Sequence, residues 1–299
     1  MSSTLDVTLG FDDGFAPHAA ATIASAVKAS PGADFRFIIF HAGVSRERQE
    51  SVEAAAPGAT FFWRELRDDE MPSFTNRGYF NKAIMFRLGL EAFGPEDCTR
   101  AIYLDADTIV LRDLRELWNT DLEGAPLGAV LDTYSTGAEF AERWNLPAEN
   151  PIYFNSGMLL INLKQVREEK LFSRAIEFFV ENDEHIHFAD QDALNYAVWG
   201  RWKKLDNCWN VQRDMIIPGL AANLPEEMRW DGSMPGVVHF TGTDKPWSTD
   251  GWHPWSWTYW RALERTPFAR EVAQRRQVPK LHRLRLLLRW LRHKPRSAG

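Results

Sequence analysis

Ala101-Ile102-Tyr103-Leu104-Asp105-Ala106-Asp107 is an apolar run that stops on two carboxylates one residue apart. Four apolar residues bounded by polar ones read as a buried strand. Side chains of extended chain alternate with period two, so Asp105 and Asp107 are expected on the same side. Two converging carboxylates can hold a hard divalent cation such as Mn2+ or Mg2+, with coordination positions left for phosphate oxygens. The spacing alone is weakly specific, because Asp190 and Asp192 repeat it, and a solvated acid pair is the alternative.

Upstream of that run, strand patterns over 5–11, 35–40 and 60–63 alternate with helical patterns over 16–29, 46–56 and 80–93. This βα alternation predicts an α/β fold, a largely parallel sheet with helices on both faces, whose ligands gather beyond the carboxyl ends of the strands. Residues 12–15 and 105–108 are then the first places to look. Downstream the pattern loosens, with helices expected over 171–181 and 191–198 and short strands over 127–131, 158–163 and 237–240.

The composition, 299 residues with 44% apolar and 25% charged, is that of a globular chain with a substantial core, and it excludes disorder and fibres. No stretch approaches the roughly 18 apolar residues of a spanning helix. The first seven residues lack a signal-peptide pattern, so a cytoplasmic location is expected. Cys98 and Cys208 are too few for a disulfide framework or a zinc site. From Arg270 onward ten Lys/Arg face one acid, a net +9 that leaves −15 on the rest of the chain. An acidic body argues against nucleic-acid binding. One domain over 1–266 and a basic tail over 267–299 are expected. Within the tail, 280–296 alternates leucine and arginine as a basic amphipathic helix that suits an anionic membrane surface, with packing on the acidic body as the alternative.

Three further segments carry chemistry. Val237-Val238-His239-Phe240-Thr241-Gly242-Thr243-Asp244-Lys245-Pro246-Trp247 joins a strand to a loop in which His239 can complete a metal shell, Gly242 can admit backbone to phosphate and Lys245 offers a point charge. Tyr153-Phe154-Asn155-Ser156-Gly157 reads as a polar corner before the apolar strand 158–163; Asn155 there either binds sugar hydroxyls or makes a turn. Asp190-Gln191-Asp192 precedes a helix containing Asn195, where Asp190 is either an N-cap or a site acid. The five tryptophans at 247, 252, 255, 257 and 260 either stack on sugar rings or pack as a flap.

In order and spacing over roughly 5–260, these segments together resemble glycosyltransferase family 8, the family of glycogenin and of bacterial lipopolysaccharide galactosyl- and glucosyltransferases. The resemblance implies a GT-A fold, a UDP-sugar donor (UDP-galactose or UDP-glucose), Mn2+ or Mg2+, and transfer with retention to a saccharide or lipid-linked acceptor. It makes Asp105, Asp107 and His239 the metal ligands and Lys245 with Gly242 the diphosphate cradle. Asp12 would hold the uracil or ribose end, and Ala106 would lie against the donor. Arg87, assisted by Lys82, would meet the donor sugar, with Asp132, Asn155, Asp190 and Gln191 around it. Solvated helix charge is the alternative for Arg87 and Lys82, and an ordinary loop aspartate for Asp132. The family commonly has Asp-Asp-Asn-Tyr where this chain has Asp12-Asp13-Gly14-Phe15, a departure that bears on base discrimination more than on catalysis.

Retention needs either front-face attack, the expectation here, or a double displacement. Gln191 is a weak nucleophile, so a double displacement would fall to Asp192 or Asp190. A glycogenin-like self-glucosylating protein and a nucleotide-sugar-binding scaffold without turnover are the other readings.

Overall fold

A computed structural model describes residues 4–67, 70, 80–149, 151–248, 253–275 and 288. The first half alternates as its sequence pattern predicts: β1 (Leu5–Asp12), helix Ala16–Ala29, β2 (Phe35–Ala42), helix Arg46–Glu53, β3 (Thr60–Glu65), helix Phe80–Phe93 and β4 (Ala101–Leu104). Then come β5 (Thr108–Val110), β6 (Leu127–Leu131), β7 (Phe154–Ile161), β8 (Lys203–Lys204), β9 (Val211–Gln212) and β10 (Val237–His239). The main sheet has the order β3-β2-β1-β4-β7-β6-β8. It is mostly parallel, with β7 antiparallel to both β4 and β6. β1 and β2 are buried almost throughout, as strands covered on both faces must be.

Helix Ala16–Ala29 is buried from Ala16 to Ala26, its alanines letting it lie close on the sheet. Its polar residues serve the neighbouring turn: the Thr22 hydroxyl lies 2.7 Å from the Thr108 carbonyl and 3.2 Å from that of Ala106, and Ser25 Oγ accepts from the Val110 N–H at 2.9 Å.

Several expectations are corrected. Asp105 and Asp107 lie beyond β4, in a turn closed by the Thr108 N–H on the Asp105 carbonyl at 3.2 Å, so strand alternation is not what brings them together. Asn155, Ser156 and Gly157 are not a corner but residues of β7, opposite a register shift between Ala129 and Val130. Asp190 is not an N-cap: helix Ala189–Ala197 starts ahead of it, with Phe188 at the cap. A second, three-stranded sheet of order β5-β10-β9 was not anticipated: β10 answers to the strand expected over 237–240, but β5 and β9, of 3 and 2 residues, are too short for alternation to show.

Past residue 266 the chain still packs on the body. Phe268 and Val272 are buried and Glu271 pairs with Arg48 at 2.8 Å. The amphipathic pattern over 280–296 lies, except for Leu288, outside the described residues. Cys98 and Cys208 are buried and unbridged. Of the tryptophans, Trp255 is buried, Trp247 stacks on His18 at 3.7 Å and Trp257 stands 41% exposed; Trp252 lies outside the described residues.

His253 gives the fold a measurable pH dependence. It is 1% exposed, packs edge-on against Phe240 at 4.7 Å and accepts the Trp255 N–H on Nδ1 at 3.2 Å. Burial, reinforced by the charge of Arg213, pushes it down to about 3. Above pH 6.5 the folded and unfolded states are both neutral at this site. Below it the unfolded chain takes up a proton that the folded protein refuses, so this contribution to stability falls with pH. By linkage the loss between pH 7 and pH 5 is about 2 kcal/mol. Urea unfolding of wild type and His253→Phe at both pH values should show the variant losing about 2 kcal/mol less. Equal losses would mean that His253 titrates normally.

Candidate active site

The turn after β4 and the small sheet that follows it build one cluster. β10 runs antiparallel to β5 with His239 opposite Thr108, and the Phe240 N–H donates to the Asp107 carbonyl at 3.0 Å. That pairing delivers the imidazole to the two carboxylates. One ligand atom from each of Asp105, Asp107 and His239 lies within 4.8 Å of the others. His239 Nε2 is 3.3 Å from Asp107 Oδ1 and 3.7 Å from Asp105 Oδ2.

The two carboxylates are oriented from behind. Asp105 Oδ1 accepts from Arg87 Nη2 and from the Tyr103 hydroxyl, both at 2.7 Å, which turns Oδ2 toward His239. Lys245 pairs with Asp107 Oδ2 and donates to the Phe240 carbonyl at 2.6 Å. Burial alone would raise the Asp107 carboxyl, but Lys245 and His239 outweigh it and hold the group below the usual carboxylate range. The floor is Gly157. A Cβ there would stand 2.1 Å from His239 Cε1 and 2.7 Å from Asp105 Oδ2, so only glycine leaves the cluster its space. Two carboxylates and an imidazole around a cleared space fit a divalent cation such as Mn2+ or Mg2+.

Arg87 is buried and ties the cluster to the next helix. It meets Asp105 and Asp190 at 2.7 Å each, donates to the Ser156 carbonyl at 2.9 Å and lies over the Tyr103 ring at 4.5 Å. Solvated helix charge is therefore not its role. Burial, only partly opposed by Arg87, pushes the Asp190 carboxyl up to about 6.

Behind these groups lies a buried polar layer. Asp132, 1% exposed, accepts four N–H bonds: Tyr134 and Ser135 at 2.8 Å on Oδ1, Asn155 at 2.9 Å and Gln191 at 3.2 Å on Oδ2. Gln191 Oε1 accepts the Ser156 N–H at 3.0 Å. Asp192 is fully buried, taking the Tyr153 hydroxyl on Oδ1 and the His187 N–H at 2.9 Å on Oδ2. Asp192 thus anchors the chain ahead of its helix and is not presented as a nucleophile. Asp132 lies in the loop after β6, where it is buried and holds Asn155 and Gln191 as well as its own turn.

The remaining expected residues are more dispersed. Asp12 ends β1, where Oδ1 accepts the Phe15 N–H at 2.9 Å, and Phe15 meets Trp247 edge-on at 6.2 Å. Gly242 takes a left-handed φ of 73° in the loop carrying Lys245, a conformation that favours glycine. Ala106 occupies the turn between the two ligand aspartates. Lys82 belongs to helix Phe80–Phe93, and its side chain lies outside the described residues. Sequence reading missed Asn210, which is fully buried with Oδ1 at 3.0 Å from His239 Nδ1. An asparagine in Asn207-Cys208-Trp209-Asn210 carries no pattern that would mark it.

Comparison with known proteins bears on this site. The model of glycosyl transferase family 8 matches residues 6–251. A putative glycosyltransferase of Haemophilus influenzae is 28% identical over 253 residues, covering 82% of this chain and 74% of the relative. The lipopolysaccharide 1,3-galactosyltransferase of Salmonella typhimurium is 26% identical over 286 residues, covering 88% and 79%. Among solved structures, the galactosyltransferase LgtC with donor and acceptor sugar analogs superimposes with a TM-score of 0.73 at 24% identity, covering 93% of this chain and 99% of that one.

Proposed function

The chain belongs to glycosyltransferase family 8 and has the GT-A fold, and from that premise we propose that it moves a hexose, galactose or glucose, from a UDP-sugar to a saccharide or lipid-linked acceptor with retention, assisted by a divalent cation. The observation that carries the reading is the meeting of Asp105, Asp107 and His239 within 4.8 Å, with Lys245 against Asp107. The Salmonella relative's name supports a hexose donor and a lipopolysaccharide acceptor.

Loss of UDP from the anomeric carbon builds negative charge on the diphosphate, and a cation bound to this triad would supply a Lewis acid for that charge. Lys245 adds a fixed positive charge beside it. Gly242 allows backbone to approach phosphate. Arg87 holds Asp105 and Asp190 in place, so the carboxylate of Asp190 stays fixed beside the ligand Asp105. With Asp192 enclosed, no carboxylate but Asp190 is left for a double displacement among those considered, and front-face attack remains the preferred route.

No helix among the described residues is long and apolar enough to cross a membrane. Attachment of the basic tail to an anionic membrane surface rests on its sequence. The test of the function is UDP release from a panel of UDP-sugars with Mn2+, with and without EDTA. Release from UDP-galactose or UDP-glucose that EDTA abolishes is expected. Absence of turnover with every donor and acceptor would overturn the reading.

A further inference from the structure

The buried amides beneath the triad form a directional chain. Asp132 meets only N–H donors, so Asn155 must turn its NH2 toward it, at 2.9 Å. That places Asn155 Oδ1 on the other side, where the Gly157 N–H independently confirms it at 3.1 Å. Asn210 must then present its own NH2 to Asn155 Oδ1, at 2.9 Å, because a flipped amide would set two acceptor oxygens face to face. Asn210 Oδ1 is thereby left facing His239 Nδ1 at 3.0 Å. An acceptor facing Nδ1 requires a proton there. The nitrogen turned toward Asp105 and Asp107 is then Nε2, and it is Nε2 that would offer its lone pair to a cation held between them.

We infer that Asn210 is a positioning residue that, through Asn155 and anchored at Asp132, holds a proton on His239 Nδ1 and turns the ring so that Nε2 is the nitrogen presented to a cation. The inference rests on the proposed metal reading only in its last step. The anchor has to be a carboxylate. An asparagine at 132 would turn its NH2 either on the Tyr134 and Ser135 N–H groups or on Asn155 and Gln191, a clash of donors in both cases. The order of residues also explains why Asn155 is 7% exposed with both ends of its amide used inside the protein.

The experiment is 15N NMR of the histidine rings in metal-free protein, with His239→Ala to assign the signal, alongside Mn2+ titration by calorimetry. Wild type should show His239 protonated on Nδ1. Asn210→Leu, which removes the acceptor, should shift the population toward Nε2–H and weaken Mn2+ binding about 10- to 100-fold. Asn210→Asp keeps an acceptor at Nδ1 but sets an oxygen against Asn155 Oδ1, so it should keep the Nδ1–H signal and bind Mn2+ more tightly than Asn210→Leu while unfolding at a lower temperature than wild type. A wild-type His239 whose Nδ1 carries no proton overturns the inference, even if the leucine variant does not fold. So does an unchanged tautomer in Asn210→Leu. Wild type that shows Nδ1–H but binds no Mn2+ supports the relay and overturns the metal reading instead.

Discussion

Asp107→Ala is expected to lower sugar transfer roughly a thousandfold, the equivalent of about 4 kcal/mol of transition-state stabilisation. The carboxylate does three things at once. It offers an oxygen to the cation cluster, it holds Lys245, and it faces His239 Nε2 at 3.3 Å. Removing it opens the cluster and releases the lysine. The backbone that frames the turn, with the Asp107 carbonyl bound by the Phe240 N–H, is untouched. Thermal unfolding should therefore show a folded variant, and calorimetry should show that Mn2+ no longer strengthens UDP binding. Retention of more than a tenth of wild-type transfer would remove Asp107 from the cation shell.

A single methyl should do comparable damage from the opposite side. Gly157→Ala puts a carbon 2.1 Å from His239 Cε1 and 2.7 Å from both His239 Nδ1 and Asp105 Oδ2, far inside contact distance. The glycine cannot retreat easily, because its carbonyl accepts the Asp105 N–H at 2.8 Å and its N–H donates to Asn155. The ligands must move, and a misplacement of about 1 Å costs on the order of a hundredfold. Steady-state kinetics should show that loss in kcat/KM, with metal-dependent UDP binding weakened in parallel. Near-normal kinetics would mean that His239 and Asp105 have more room than the structure gives them.

How much of this was legible in the sequence differs between its two halves. β1 to β4 are apolar runs separated by helical periodicity, and the chain pairs them locally in parallel, so pattern and outcome coincide. The meeting of Asp105, Asp107 and His239 was also legible, though for a partly mistaken reason. The two aspartates converge through a turn pinned by Thr22, and their histidine arrives by pairing β10 with β5. Strands of two or three residues leave no period to read, which hid the sheet that makes the site.

The polar layer was hidden differently. Asn155 and Ser156 look like a turn because their residue types favour one. In the fold, Gln191 takes the Ser156 N–H and Asn195 takes the N–H and carbonyl of Phe154, so side chains of one helix serve this end of β7, which β4, paired only with 158–161, does not reach. Such substitution is a tertiary effect, invisible to local propensity. Asn210 belongs to the same class, a lone amide whose meaning depends on what stands either side of it.

The measurement that tests the central claim most directly is calorimetric titration of UDP into the wild-type protein with and without Mn2+. If Asp105, Asp107 and His239 hold a cation that in turn meets the diphosphate, UDP should bind at least about tenfold more tightly with Mn2+, a linkage of about 1.4 kcal/mol. Equal affinity in the two conditions would contradict a cation-assisted diphosphate site.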